Sequence, residues 1–149
     1  MVTIKNGNLL KAKETVIAHQ VNCQGVAGGL AASIFRKWPY AENDYLQLVQ
    51  RVPAKALLGM AHYTGQQRDG HIICSLFGQF NPGADYQPKK LEQALEQLGN
   101  TARIMNWSVA LPWKLSCGIC GGDWDEVQQI IERTMDGVDC VIYKREGDE

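Results

Sequence analysis

The chain lacks any apolar stretch long enough for a signal peptide or a bilayer span, so no membrane is expected and a cytoplasmic location is. It also lacks a basic stripe. The formal net charge is −1 and the cations are scattered over Arg36-Lys37, Arg51, Lys55, Lys89-Lys90 and Lys114, which argues against duplex nucleic acid as a partner. Neither G-x-G-x-x-G nor G-x-x-x-x-G-K-[ST] occurs, so dinucleotide-fold and P-loop spacings are excluded. G-x-S-x-G is missing too, and spacing assembles no Ser/His/Asp set. The Cys117-Gly118-Ile119-Cys120 pair has no second ligand pair at zinc spacing, so neither metal nor cofactor is expected. Five cysteines, an odd number, fit a reducing compartment better than a disulfide framework. No linker, repeat or low-complexity tract divides the chain. Residues 1–149 are therefore expected to form one domain with a frayed tail from about residue 145.

What is present is an ordinary globular composition, with 45% hydrophobic and 21% charged residues, enough to bury a core. Strands are expected at 2–4, 15–21, 59–63, 71–77, 108–111 and 138–143. Some are continuous apolar runs, as in strands covered on both faces. Between them apolar residues recur at helical spacing: Leu30, Ile34, Phe35 and Trp38, closed by Pro39; Tyr45, Leu48, Val49 and Val52, ended by Pro53. Leu91, Ala94, Leu95, Leu98 and Ala102 follow Pro88 in a third helix. Trp124, Val127, Ile130, Ile131 and Met135 form a fourth, stopped at Asp136-Gly137. Alternating strands and helices predict one three-layer α/β domain.

Two glycine clusters sit at strand-to-helix junctions. One lies in His19-Gln20-Val21-Asn22-Cys23-Gln24-Gly25 with Gly28-Gly29, the other in Ser116-Cys117-Gly118-Ile119-Cys120-Gly121-Gly122. Glycine lets backbone N–H groups approach a ligand closely, with a helix dipole behind them, which is how phosphates are held. Two such loops predict a ligand with two phosphates, or a phosphate and a sugar. Asn22, just past a strand end, suits sugar hydroxyls or else ties down its own turn. Asp123, three residues before Glu126, reads as a capping-box residue that could still orient a water. His19, at a strand end, has a structural reading beside a catalytic one. The C-x-x-C pair leaves a redox reading open, although Gly121-Gly122 would interrupt the helix that such a site needs.

In order and spacing, Asn6-Gly7-Asn8-Leu9, the 19–29 cluster and the stretch from Pro112 to Trp124 resemble the macro domain family of ADP-ribose binders across essentially the whole chain. Asn22-Cys23-Gln24-Gly25, Trp38-Pro39, Asp44-Tyr45 and Cys74-Ser75-Leu76-Phe77-Gly78-Gln79 are most similar to its branch of small ADP-ribose-1″-phosphate phosphatases. The resemblance implies an α/β/α macro domain with a mixed central sheet of about six strands. It implies that Asn8, where many members carry aspartate, meets the adenine amino group. Asn22, Gly28 and Gly29 would line the distal ribose. Ser116, Cys117, Gly118, Ile119, Cys120 and Gly121 would wrap the diphosphate, and Tyr143 would border the adenine. It further implies catalysis by Asp123 activating water with His19 assisting proton transfer. The lysine and loop aspartate of a related glutamate-deconjugating branch would fall near Phe77-Gly78 and at Cys120, where this chain has neither. The expected partner is ADP-ribose or its 1″-phosphate, with ADP-ribosylated protein as an alternative. The function is phosphate release, or else non-catalytic reading, or hydrolysis of ADP-ribosyl or O-acetyl-ADP-ribose esters.

Overall fold

A computed structural model describes residues 1–145; the residues expected to form most of the frayed tail, 146–149, lie outside it. Six strands form one mixed sheet in the order β1-β6-β5-β2-β4-β3, with β1 Val2–Asn6, β2 Val16–Asn22, β3 Ala61–Thr64, β4 Ile72–Gln79, β5 Val109–Pro112 and β6 Cys140–Lys144. Every neighbouring pair is parallel except β3 with β4. All six expected strands are present, displaced by one or two residues at their ends.

Alternation along the strands feeds two cores. Val16 and Ala18 of β2, Cys74 and Leu76 of β4, and Val109 and Leu111 of β5 face α4 (Pro88–Met105) and α5 (Trp124–Thr134). Ile17, Val21, Ile73, Phe77 and Ala110 face the opposite layer, built from α1 (Gly29–Lys37), α2 (Pro39–Arg51) and the single turn α3 (Ala54–Leu57). Each fully buried leucine or isoleucine contributes about 1.5–3 kcal/mol, so the period-2 pattern settles the register of the sheet. Among the described residues no helix is long and apolar enough to cross a membrane.

Two local expectations change. Pro39 does more than close a helix: Trp38 ends α1 in a non-helical conformation and Pro39 is the first residue of α2. Proline disfavours helical backbone in the residue before it yet suits a helix's own first turn. The α3 turn was not expected, because four residues carry too little periodicity to register.

The chain leaves β2 towards β4 on one side and returns through α4 to β5 on the other. The carboxyl ends of β2 and β5 therefore border the point where the connections diverge, which is where open α/β sheets leave a crevice.

Candidate ligand cleft

At that point the structure has a cleft of two adjoining lobes, an inner one of about 240 Å³ and an outer one of about 400 Å³. Gln20, Gly28, Ala31, Ile119 and Cys120 line both. Val21, Asn22, Val26, Gln79, Pro82 and Gly83 complete the inner lobe; Gly29, Leu30, Pro112, Lys114, Ser116 and Gly118 are among those completing the outer. The two glycine clusters, some ninety positions apart in the sequence, thus face one another.

The first wall is built by Asn22. Its Oδ1 accepts the N–H groups of Gln24 at 2.9 Å and Val26 at 3.4 Å, and its Nδ2 donates to the Val26 carbonyl at 2.7 Å. The hydroxyl of Tyr45 lies 2.8 Å from the Asn22 carbonyl and 3.1 Å from its Oδ1, and burial pushes that phenol up to about 12. Asn22 therefore both lines the inner lobe and ties down its own turn. The turn delivers the chain to Gly28, which caps α1 without a side-chain hydrogen bond, and Gly29 follows with φ +52°. The first N–H groups of α1 are left open beside the cleft, at the positive end of the helix.

The opposite wall is loop 113–122. Lys114 and Ser116, neither a glycine, are held at φ 57° and 68°, and Gly121 at 86°. Cys117 N–H donates to the Lys114 carbonyl, Gly121 to Gly118 and Gly122 to Ser116. The N–H groups of Gly118, Ile119 and Cys120 have no acceptor among the described residues, an arrangement suited to an anion. The loop is held from outside. The Trp113 and Trp124 rings at its two ends pack 4.6 Å apart, and the Tyr86 hydroxyl donates to Glu126 at 2.5 Å. Gly122 is the tight point: a Cβ there would meet the Ser116 carbonyl at 2.4 Å and the Tyr86 ring at 2.9 Å.

The remaining wall, residues 80–85, was not expected from the sequence as part of the site. Asp85 accepts the N–H groups of Phe80 and Asn81, Gln79 donates to the Gly83 carbonyl at 2.7 Å, and Gln20 donates to Gln79 at 3.2 Å. Gln20 Oε1 is enclosed without a donor. Gln20 and Gln79 stood within the recognised motifs, yet glutamine carries no signal of its own; strand direction and the bulge opposite Gln20–Asn22 bring them together.

Of the expected site residues, Asn22, Gly28, Gly29, Ser116, Gly118, Ile119 and Cys120 line the cleft. Cys117 and Gly121 belong to the same loop without lining it. Asn8 and Tyr143 lie outside the lining. Asn8 caps a short 3₁₀ turn by accepting the Leu10 N–H. Tyr143, paired in register with Pro112, donates its hydroxyl to Glu14 at 2.7 Å, and its ring lies beside Gly7.

The two residues expected to be catalytic are not brought to the cleft. His19 is wholly enclosed on the α1 side of β2, edge-on to Phe35 at 5.2 Å, with neither ring nitrogen hydrogen-bonded. Burial lowers it to about 3, so the ring is neutral at ordinary pH. Alternation along β2 decides this, because positions 17, 19 and 21 all turn into one core. Asp123 is exposed and caps α5 by accepting the Asp125 N–H at 3.0 Å. The capping box does not close, since the Glu126 carboxylate is engaged by Tyr86. The redox reading fares no better. Both thiols of the pair are free and begin no helix, and burial, helped by Asp123, pushes Cys117 up to about 11, away from thiolate.

No protein-family model matches the sequence. An ADP-ribose 1″-phosphate phosphatase of Lodderomyces elongisporus is 26% identical over 143 residues, covering 88% of this chain and 87% of that protein. A DNA ADP-ribosyl glycohydrolase of Mycobacterium tuberculosis is 29% identical over 152 residues, covering 99% of this chain but only 43% of that protein. The solved macrodomain of Mycobacterium tuberculosis DarG superposes with a TM-score of 0.85 at 29% identity, over 96% of this chain and 97% of that one. The parallel sheet with one antiparallel edge, the open start of α1 facing a strained glycine loop, and the superposition agree: this chain has the macro-domain fold.

Proposed function

We propose that the cleft binds ADP-ribose and that the protein is a hydrolase releasing phosphate from ADP-ribose 1″-phosphate. The observation that carries the reading is the convergence of two backbone N–H arrays, the open start of α1 and the 118–120 segment, on one crevice of two lobes. The diphosphate lies against both arrays and the distal ribose enters the inner lobe beside Asn22, Gln20 and Gln79. A hydrogen bond to a charged group is worth roughly 1.5–3 kcal/mol, so three or four of them offset much of the cost of association. Micromolar affinity, about −8 kcal/mol, is the expected result without a cationic clamp. The phosphatase named among the relatives, matched over most of its length, supports the reaction assignment.

A second reading has one observation in its favour. His19 and Asp123 stand away from the cleft, as a non-catalytic reader of ADP-ribosylated protein would permit. Residues 1–149 act as one domain in either case. The five free thiols fit a reducing cytoplasm. Calorimetric titration with ADP-ribose against AMP and NAD tests the cleft, and phosphate release from ADP-ribose 1″-phosphate under excess substrate separates enzyme from reader. Binding without turnover would leave the reader; no selective binding would remove both.

A further inference from the structure

The sheet has two edges, β1 and β3, and the fold treats them differently. At β3 the outward N–H of Ala61 is taken by the Gln97 side chain of α4 at 3.0 Å. β1 has no such cover. Its parallel register with β6 runs unbroken from Val2 opposite Cys140 to Asn6 opposite Lys144. The two ends of that ladder, Cys140 N–H on the Met1 carbonyl at 3.1 Å and Gly7 N–H on the Lys144 carbonyl at 2.9 Å, fix its phase. Residues 1, 3, 5 and 7 turn their backbone groups to β6, so Val2, Ile4 and Asn6 turn theirs outward. Among the described residues no backbone or side-chain group bonds to those outward N–H and C=O groups.

An open, flat edge is a template for another strand, and folds commonly blunt it with proline, a bulge or charge. β1 has no proline and no bulge, and its one charge, Lys5, leans over its own molecule, with Nζ 6.0 Å from the centre of the Tyr143 ring. Ile4 is 47% exposed, and Val2 reaches only the margin of the α4–α5 core. The edge is also complementary to itself. An antiparallel register centred on Ile4 engages all the outward residues of two copies: Ile4 exchanges two hydrogen bonds with Ile4, and each Val2 exchanges two with the other copy's Asn6. That register sets Lys5 opposite Thr3. Centring it on Lys5 instead sets Lys5 on Lys5 and forfeits the Val2 bonds, and centring it on Thr3 forfeits those of Asn6. Charge and hydrogen bonding therefore select one arrangement.

We propose that the open edge of β1 is the docking surface for a second copy of this chain, antiparallel about a two-fold axis at Ile4, which joins two six-stranded sheets into one. The contact is independent of what the cleft binds, because β6 stands between β1 and β5.

Sedimentation equilibrium tests it. Wild type should pass from monomer towards dimer between about 10 µM and about 1 mM. A wild type that stays monomeric throughout overturns the proposal, whatever else the edge then binds. Proline at position 4 removes an outward N–H and no bond to β6, so Ile4→Pro should unfold in urea as cooperatively as wild type yet weaken the dimer at least tenfold. A dimer undiminished in a folded Ile4→Pro lies on another surface and equally overturns the assignment. Should Ile4→Pro fail to fold, exposed Thr3 supplies the same test. Thr3→Glu, set opposite Lys5 of the other copy, should tighten the dimer about twofold or more, and Thr3→Lys should loosen it by as much. Equal responses to the two charges would refute the register. The Cα atoms of a hydrogen-bonded antiparallel pair lie about 5.5 Å apart, within disulfide reach. Under oxidised glutathione, Ile4→Cys should therefore give a disulfide-linked dimer that wild type, with its own five cysteines, does not; absence of that product would also refute the register.

Discussion

Replacing His19 by leucine should flatten the acid limb of this protein's stability curve. The native ring is enclosed beside Phe35 with both nitrogens unpartnered, and burial lowers it from 6.5 to about 3. In the unfolded chain the same group titrates near its ordinary value of about 6.5. Between these limits the unfolded state holds a proton that the native state refuses. Stability from this group is therefore fully present above pH 6.5 and is lost as pH falls towards 3. One proton corresponds to about 1.4 kcal/mol per pH unit, so moving from pH 7 to pH 5 costs the wild type about 2 kcal/mol through His19 alone. Leucine fills similar volume and does not titrate. Urea unfolding at pH 7 and pH 5 measures the effect. The loss between the two pH values should be about 2 kcal/mol smaller in His19→Leu than in wild type. Equal losses in the two proteins would refute the buried, neutral histidine. ADP-ribose affinity should be unchanged, because the ring does not line the cleft. A large fall in phosphate turnover with affinity intact would restore the proton-transfer role expected from the sequence.

Gly29→Glu should abolish ADP-ribose binding by calorimetry while unfolding stays cooperative: Gly29 lines the outer lobe and a Cβ there meets nothing within 4 Å, so the added carboxylate repels the anion at the cost of the strain that φ +52° imposes on any side chain. Normal binding would mean that the ligand lies elsewhere. Asp123→Ala should lower stability by about 1 kcal/mol through loss of the α5 cap, with phosphate turnover near wild type; a collapse of turnover would return Asp123 to the mechanism. Gly122→Val should weaken ADP-ribose binding at least tenfold, an effect of about 1.4 kcal/mol, because its side chain displaces the Ser116 carbonyl and the Tyr86 ring that brace the loop; tryptophan fluorescence of the Trp113–Trp124 pair offers a second readout. Wild-type affinity there would show that the bracing does not shape the anion site.

Much of the architecture is legible in the residues. Strands with two buried faces read as continuous apolar runs, and the amphipathic stripe over Leu91–Ala102 of α4 is unmistakable at helical spacing. Gly28-Gly29 opens a helix as expected, since glycine at such a junction has a local geometric use. Less legible were features whose cause is a neighbour. The capping box at Asp123 and Glu126 has the right spacing, but Tyr86, forty positions away, captures the glutamate. Ser116 gives no sign in the sequence that it sits at φ 68°; the Gly122 N–H accepted by its carbonyl belongs to the fold of the whole loop.

The sequence by itself determined what is set by local periodicity and local backbone chemistry: six strands, the main helices, and two glycine loops able to hold an anion. The tertiary structure decided which side chains share a cavity. Crossovers carry β2 and β5 side by side, so Gln20 and Gln79 enter the cleft with the glycine loops. The pleat of β2 turns His19 into a core, and α5 holds Asp123 at its exposed cap. The reason is physical. Period and propensity act over a few residues, whereas burial, desolvation and the satisfaction of polar atoms depend on partners that folding brings from far along the chain.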